Sequence, residues 1–154
     1  MSRNLVVVVF AMSLLISPPM ARAQLRKAGI AITPNIPYGG RKALMDFYYP
    51  VTAKGPVPVV LWIHGGGWKA GDKESPPAIF LAGKGFAVAS ISYRLSQDAP
   101  FPAQIQDCKA AVRYLRANAK EFGIDPDRIG AWGASAGGHL SALLGTSGDV
   151  KDLE

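Results

Sequence analysis

Residues 128–140 read RIGAWGASAGGHL, and the fold and the candidate chemistry are both inferred outward from this stretch. A short apolar run that predicts a strand, Arg128 to Trp132, is followed by a run that predicts a helix, Ala136 to Leu144. Ser135 stands between them in the pattern G-x-S-x-G. A serine on a sharp strand-to-helix turn needs small neighbours, because the backbone packs closely there. The stretch therefore predicts a nucleophile elbow that presents the Ser135 hydroxyl above the sheet.

A second glycine-rich motif, HGGGW at residues 64–68, lies earlier in the chain. It directly follows Val57 to Ile63, an apolar and β-branched run that predicts a strand buried on both faces. Unobstructed glycine N–H groups can stabilise a tetrahedral oxyanion, and one such donor contributes about 3 kcal/mol. A Walker phosphate loop would need the pattern G-x-x-x-x-G-K-[ST], which is not found here. The motif therefore predicts an oxyanion loop.

The segments around the two motifs alternate between predicted strands and helices. Strands are expected at Ala43 to Tyr49, as an edge or near-edge strand ended by Pro50, and at Phe86 to Tyr93. A helix is expected at Pro76 to Lys84. Residues 24–42 are interpreted as an irregular entry segment, and residues 125–127 as a turn. This alternation predicts one α/β domain with a parallel sheet covered by helices, and no domain boundary is visible.

The clearest predicted helix carries apolar residues at steps of three and four. They are Ile105, Cys108, Val112, Leu115, Ala119 and Phe122, with Gly123 as the helix stop. The polar residues expected on the solvent face are Gln106, Lys109, Arg113, Arg116 and Lys120. Cys108 is the single cysteine, and its place in the apolar stripe predicts a buried, inert thiol.

The N-terminus has the pattern of a secretory signal at residues 1–23. Arg3 precedes the apolar run from Leu5 to Ile16, and the sequence Ala21-Arg22-Ala23 fits a cleavage site before Gln24. A membrane anchor is disfavoured, because the run is shorter than the ~20 residues that span a bilayer. These features predict a secreted or periplasmic protein with no stable membrane insertion after signal removal.

The charge pattern disfavours a nucleic-acid partner. The formal net charge is +6, and removal of Arg3 and Arg22 with the signal would leave 6 − 2 = +4. The remaining basic residues are scattered among acids, whereas nucleic-acid binding needs a basic stripe. No cluster of Cys, His and Asp has the spacing of a metal site, so neither a metal nor another cofactor is expected.

HGGGW, SYRL at Ser92 to Leu95, and DPDRIGAWGASAGGHL at Asp125 to Leu140 together resemble the α/β-hydrolase family. The resemblance is to its esterase branch, which includes hormone-sensitive-lipase-like enzymes and bacterial carbohydrate esterases. It implies a three-layer sandwich with a mostly parallel sheet. It also implies a nucleophilic Ser135, an oxyanion hole formed by the N–H groups of Gly66, Gly67 and Ala136, and a structural role for His64. Prolyl-oligopeptidase-type peptidases share a similar elbow and are the closest rival.

The chain departs from the family where the catalytic partners are expected. In the family the serine is followed by an acid and then a histidine, on loops beyond later strands. No histidine follows His139, which lies one helical turn after Ser135 and is not expected to reach its hydroxyl as a base. Asp149 and Asp152 lie too close to the elbow and are interpreted as polar loop residues. The chain is therefore expected to be the N-terminal part of the domain, without its last strands, and inactive alone.

The resulting hypothesis is hydrolysis of carboxylic esters through an acyl-enzyme on Ser135. The expected substrates are small-molecule or polysaccharide esters with acetyl, short acyl or feruloyl groups. The alternatives are a non-catalytic or inactive truncated fragment and a fragment of a prolyl-oligopeptidase-type peptidase. Intact G-x-S-x-G and HGGG motifs speak against degeneracy, and they do not bear on truncation.

Several other residues have two interpretations. Asp72 and Lys73, just after the oxyanion loop, either fix a turn or line a substrate pocket. Asp107 is expected at a helix start or in a structural ion pair. Trp62, Trp68 and Trp132 are expected in the core, with Trp68 as a candidate wall of the acyl pocket.

The signal pattern predicts that protein recovered from an extracytoplasmic fraction begins at Gln24. Intact-mass measurement checks this start. A mature form that retains residues 1–23 and stays in the membrane would contradict the secretory interpretation.

Overall fold

The structure, a computed structural model, describes residues 25–27 and 29–154. The predicted signal segment, residues 1–23, lies outside these residues. The described strands are β1 (Leu25–Lys27), β2 (Ile30–Pro37), β3 (Leu44–Pro50), β4 (Val57–Ile63), β5 (Ala87–Ile91) and β6 (Ile124–Gly133). The α-helices are α1 (Ala103–Ala117), α2 (Ala119–Phe122) and α3 (Ala136–Thr146), and 3₁₀ helices occupy Pro77–Lys84 and Lys151–Leu153.

The six strands form one sheet in the order β1-β2-β3-β5-β4-β6. The three strands nearest the motifs, β5, β4 and β6, are parallel, while β3 is antiparallel to both β2 and β5. Strands β2, β4, β5 and β6 consequently run in one direction. The α/β class is confirmed.

Apolar side chains cover both faces of the sheet, which gives three layers. The larger core lies between the sheet and the α-helices. In it the Phe47 ring of β3 meets the Phe122 ring of α2 edge-on, with centroids 4.6 Å apart. The smaller core, on the other face, packs Tyr48, Trp62 and Val88 against the 3₁₀ helix Pro77–Lys84.

Two predictions about the first strands are wrong. The segment predicted to be irregular contains β1 and β2. The strand pattern of β2 was not visible in the sequence because β2 carries Pro34 and Asn35. At these residues the pairing with β3 shifts register, and Asn35 takes a φ of 57°. β3, expected at or near an edge, is an interior strand between β2 and β5.

The helix predicted over residues 105–122 is present as α1 and α2, with a break at Asn118. Its apolar stripe faces the core as expected, whereas Lys109 does not face solvent. The Lys109 Nζ is buried and donates to the Ser147 carbonyl at 2.7 Å and to Glu154 Oε1 at 2.8 Å. The helical spacing of apolar residues places Lys109 beside the stripe. It cannot show that α3 and the segment after it cover Lys109.

β6 is longer than the predicted Arg128–Trp132 strand, and it contains the predicted turn as a bulge. Val57 pairs with Ile124 and Val59 with Ile129, so four residues of β6 lie opposite one residue of β4. Within the bulge, Asp125 accepts hydrogen bonds from the Asp127 N–H at 3.0 Å and from the Arg128 Nε at 2.6 Å.

Two of the three tryptophans, all predicted to lie in the core, are instead exposed. Trp62 is buried, whereas Trp68 and Trp132 are 39% and 42% exposed. Within the described residues, β6 pairs only with β4, and Trp132 on β6 meets the Trp62 ring edge-on at 5.1 Å.

Phe122→Ala should lower the free energy of unfolding by about 3–5 kcal/mol, because it removes a fully buried ring from the larger core. The matched control is Phe80→Ala, at a ring that is 57% exposed, where the loss should stay near 0.5 kcal/mol. Urea unfolding of the two variants, followed by circular dichroism, checks the difference. Equal losses would show that Phe122 does not anchor this core.

Candidate active site

Ser135 lies at the junction of β6 and α3, in the strained conformation that an elbow requires. Its φ is 52° and its ψ is −118°, a region that residues other than glycine rarely adopt. Such strain costs on the order of 1–3 kcal/mol and persists only where the surroundings enforce it. Here they do, because a side chain at Gly137 would place its Cβ 2.0 Å from the Ile63 carbonyl oxygen. The helix and strand can approach this closely only with glycine at that position.

The HGGGW segment leaves β4 directly beside the elbow. The parallel pairing of β4 with β6 sets Ile63 opposite Gly133, so both motifs begin at the same level of the sheet. A Cβ built at Gly65 would lie 3.3 Å from the Ser135 Cβ, which shows that the loop and the elbow touch.

Three backbone N–H groups of the predicted oxyanion hole lie in these two segments. Among the described residues, no protein acceptor takes a hydrogen bond from the N–H of Gly66 or Gly67. Ala136 is the first residue of α3, where an N–H has no partner within its own helix. Available donors beside an exposed serine hydroxyl are the arrangement that stabilises an oxyanion. The roles of Gly66, Gly67, Ala136 and Ser135 stay predictions.

Comparison with known proteins assigns the chain to a family. The BD-FAE family model matches residues 45–154. The chain belongs to the BD-FAE family. This domain is of the α/β-hydrolase type, so the family resemblance predicted from the motifs is confirmed.

Individual relatives agree with the BD-FAE assignment. Carboxylesterase NlhH of Mycobacterium tuberculosis (strain CDC 1551 / Oshkosh) is 43% identical over 100 residues, which are 63% of this chain and 31% of that protein. A truncated form of a carbohydrate esterase from gut microbiota has a TM-score of 0.74 at 40% identity, over 79% of this chain and 45% of that one.

Esterase B from Lactobacillus rhamnosis, in a structure described with a C4-C4 SN3 tributyrin phosphonate, has a TM-score of 0.75 at 33% identity. The match covers 86% of this chain and 46% of that one. The BD-FAE chain thus spans from about a third to about half of the length of these relatives.

His64 stabilises the start of the loop. Its ring is 6% exposed, stacks on the Tyr93 ring with centroids 4.3 Å apart, and its Nδ1 donates to the Gly65 carbonyl at 2.7 Å. The Tyr93 hydroxyl donates to the His64 carbonyl at 3.0 Å, and burial raises the pKa of Tyr93 to about 12, so it stays a donor. Burial also lowers the pKa of His64. A neutral ring held in this way fits the structural role that the resemblance implies.

His139 lies on α3, one turn beyond Ser135, and packs beside the loop. Its N–H donates to the Ser135 carbonyl at 3.0 Å, and its ring meets the Trp68 ring edge-on at 5.5 Å. Among the described residues, neither histidine ring is hydrogen-bonded to the Ser135 hydroxyl. His139 instead lines an apolar cavity of about 260 Å³ with Trp68, Ser96, Phe101, Gln104 and Leu140. Trp68 therefore lies where the sequence placed a candidate pocket wall.

The two polar residues after the loop differ in their roles. Asp72 is exposed and its Oδ1 accepts a hydrogen bond from the Glu74 N–H at 2.8 Å, which is the turn-fixing interpretation. Lys73 is buried, and its Nζ lies 3.1 Å from Asp46 Oδ1, so the pocket-lining interpretation does not apply to it. Sequence reasoning missed Asp46, although a carboxylate inside the apolar run of β3 was the available signal.

Two residues of α1 match their structural interpretations. Asp107 forms an ion pair with Arg94, whose Nη2 and Nε donate to its carboxylate at 2.8 and 3.0 Å. Cys108 is fully buried, and this burial raises the pKa of its thiol.

Residues 25–27 and 29–154 contain no group of three or more His, Cys, Asp or Glu side chains placed to hold a metal ion. In the same part of the chain, no helix is long and apolar enough to cross a membrane.

The buried neutral state of His64 predicts an acid-sensitive fold. The unfolded chain takes up a proton on this ring near pH 6.5, whereas the folded protein resists protonation. The free energy of unfolding should therefore fall as the pH drops below 6.5, and His64→Asn, whose amide can still donate to the Gly65 carbonyl, should weaken this fall. Urea unfolding at about pH 8 and about pH 5.5, on either side of this value, measures it.

The matched control is His139→Asn, which removes an exposed histidine. A fall that survives in His64→Asn and disappears in His139→Asn would assign the acid sensitivity to the other ring.

Proposed function

We propose that this protein is a serine hydrolase of carboxylic esters. The observation that carries the proposal is the contact between the strained Ser135 elbow and the loop that supplies the Gly66 and Gly67 N–H groups. A serine at this position can attack the carbonyl carbon of an ester, and the N–H donors beside it can stabilise the negative charge that forms on the carbonyl oxygen. The names of the relatives, which include a carboxylesterase and a carbohydrate esterase, support the same reaction.

In the proposed mechanism, the Ser135 Oγ bonds to the ester carbonyl carbon as its proton passes to a general base. The N–H groups of Gly66, Gly67 and Ala136 stabilise the negative oxygen of the tetrahedral intermediate. The carbon–oxygen bond to the alcohol then breaks, the base returns its proton to the leaving alcohol, and an acyl-serine remains. Water, activated by the same base, releases the acid and restores Ser135.

We place the general base and the carboxylate that orients it outside residues 29–154. His64 is buried against Tyr93, and His139 faces Trp68. Without a base, a serine hydroxyl is a weak nucleophile at neutral pH. Residues 24–154 expressed alone should therefore hydrolyse esters far more slowly than a longer chain that also supplies this base and carboxylate, which is called the full-length protein below.

The cavity lined by Trp68 of the loop and His139, which lies one helical turn after Ser135, supports esters of short or aromatic acids. Its volume is about 260 Å³, and the rings of Trp68 and Phe101 with the side chain of Leu140 form its apolar wall. Acetyl, short acyl and feruloyl groups fit this chemistry, on small molecules or on polysaccharide. The signal pattern at residues 1–23 supports an extracytoplasmic substrate and a secreted or periplasmic location.

Ser135→Ala in the full-length protein should reduce kcat for p-nitrophenyl acetate on the order of 10⁴-fold or more, because the nucleophile and its base act as a unit. Ser141→Ala is the matched control: Ser141 lies on α3, the helix that begins after Ser135, its hydroxyl donates to the Gly137 carbonyl, and its loss should leave the rate nearly unchanged. A fluorophosphonate probe should label Ser135 alone. Labelling at another serine, or hydrolysis that survives Ser135→Ala, would refute the assignment.

A further inference from the structure

A buried lysine lies directly after the oxyanion loop. Lys73 is only 7% exposed, and its Nζ lies 3.1 Å from Asp46 Oδ1 and 3.2 Å from Asp46 Oδ2. Lysine is almost never buried unless it is paired. Asp46 is itself buried, and its Oδ1 also accepts a hydrogen bond from the Asn35 N–H at 2.8 Å. The pair therefore joins the segment after the loop to the interior strand β3 and, through Asn35, to β2.

The backbone of Lys73 is fixed as well. Its N–H donates to the Ser92 Oγ at 3.2 Å, and its carbonyl accepts a hydrogen bond from the Ser90 hydroxyl at 2.7 Å. Ser90 is fully buried on β5 and pairs directly with Asp46 on β3. Side chain and backbone of one residue are thus both held on adjacent strands of the sheet.

Stability alone does not account for a buried ion pair of this kind. The cost of removing two charges from water often equals or exceeds their attraction, and an apolar pair of similar volume is often as stable. What the ion pair adds over an apolar contact is direction. It fixes one position of the lysine, and with it one path of the chain between residues 64 and 73.

That path transmits the position of Lys73 to the oxyanion loop through close backbone contacts. Gly71 lies so near that a Cβ there would be 2.4 Å from His64 Nδ1 and 2.6 Å from the Gly65 carbonyl oxygen. The Gly66 carbonyl accepts hydrogen bonds from the N–H groups of Lys69 at 3.0 Å and Ala70 at 3.1 Å. A shift of the segment at Lys73 would therefore displace Gly65, through its close contact with Gly71, and Gly66, through its hydrogen bonds with Lys69 and Ala70.

We propose that Lys73, through its buried ion pair with Asp46, is a positioning residue that holds the oxyanion loop against the Ser135 elbow. The inference rests on the proposed esterase function, because the loop matters to the rate only if it binds an oxyanion. Lys73 touches no reacting atom and acts through Gly71, Gly65 and Gly66. A displacement of about 1 Å at a catalytic group can cost on the order of 100-fold in rate.

The double variant Lys73→Met, Asp46→Asn in the full-length protein tests the proposal. It removes both charges together, so no unpaired charge remains buried, and the amide oxygen that Asp46→Asn introduces can still accept the hydrogen bond from the Asn35 N–H. The fold is thereby kept while the directed contact is lost. We expect kcat for p-nitrophenyl acetate to fall about 10- to 100-fold with KM changed less than about threefold, the pattern of a lost transition-state interaction. Amide hydrogen exchange in residues 64–72 should become faster.

The control is Lys109→Met with Glu154→Gln, which removes the ion pair that another buried lysine, on α1 and away from the loop, forms with the half-exposed Glu154. It should leave kcat and loop exchange unchanged, whatever its effect on the melting temperature. If both double variants lose kcat equally, or if the Lys73 variant keeps the wild-type kcat and loop exchange, Lys73 is not a positioning residue. If the wild-type protein hydrolyses no ester but loop exchange still accelerates only in the Lys73 variant, Lys73 positions the loop and the proposed function is wrong.

Discussion

The parallel pairing of β4 with β6 is the constraint on which the candidate site depends. With Ile63 opposite Gly133, the two glycine-rich segments leave neighbouring strands at the same level. Parallel strands present their carboxyl ends at one edge of a sheet, which is where α/β proteins place their ligand sites. The elbow and the HGGGW loop then meet only because Gly137 and Gly65 carry no side chains that would separate helix, strand and loop.

Polar contacts hold the chain on both sides of the loop. Its first residue, His64, is stacked on Tyr93 and hydrogen-bonded at its carbonyl by the same tyrosine. Beyond its far end, Lys73 meets Asp46 of β3, the Ser90 hydroxyl of β5 and the Ser92 hydroxyl just after β5. Buried polar groups are costly unless they are satisfied, and satisfied ones specify a single geometry. The residues between these two ends, which include the glycines with available N–H groups, can stay exposed and keep a defined shape.

The motifs and the class of fold could be predicted from the sequence, since glycine spacing and strand periodicity are local signals. Positions that depend on distant partners could not. Lys109 was interpreted as a solvated lysine and Lys73 as part of a turn or a pocket wall, and each is buried against a partner that lies far along the chain. β2 was missed because its Pro34-Asn35 bulge breaks the alternation of a strand. β3 was placed at or near an edge from its loose alternation and Pro50, and it is interior because β2, the strand that was missed, pairs with its outer side.

Backbone strain concentrates where these held segments meet. Trp68 and Ser135, two of the four described non-glycine residues with positive φ, lie on the loop and on the elbow, with φ values of 59° and 52°. Such residues persist only where their surroundings over-determine them. The Trp68 carbonyl accepts a hydrogen bond from the Ser96 N–H at 2.8 Å, and its ring packs against His139 of α3. His139 follows Ser135 by one helical turn, so the contact that fixes Trp68 also links the loop to the elbow. The contact with Trp68 is thus a structural reason for an aromatic ring at His139, and this reason does not depend on proton transfer.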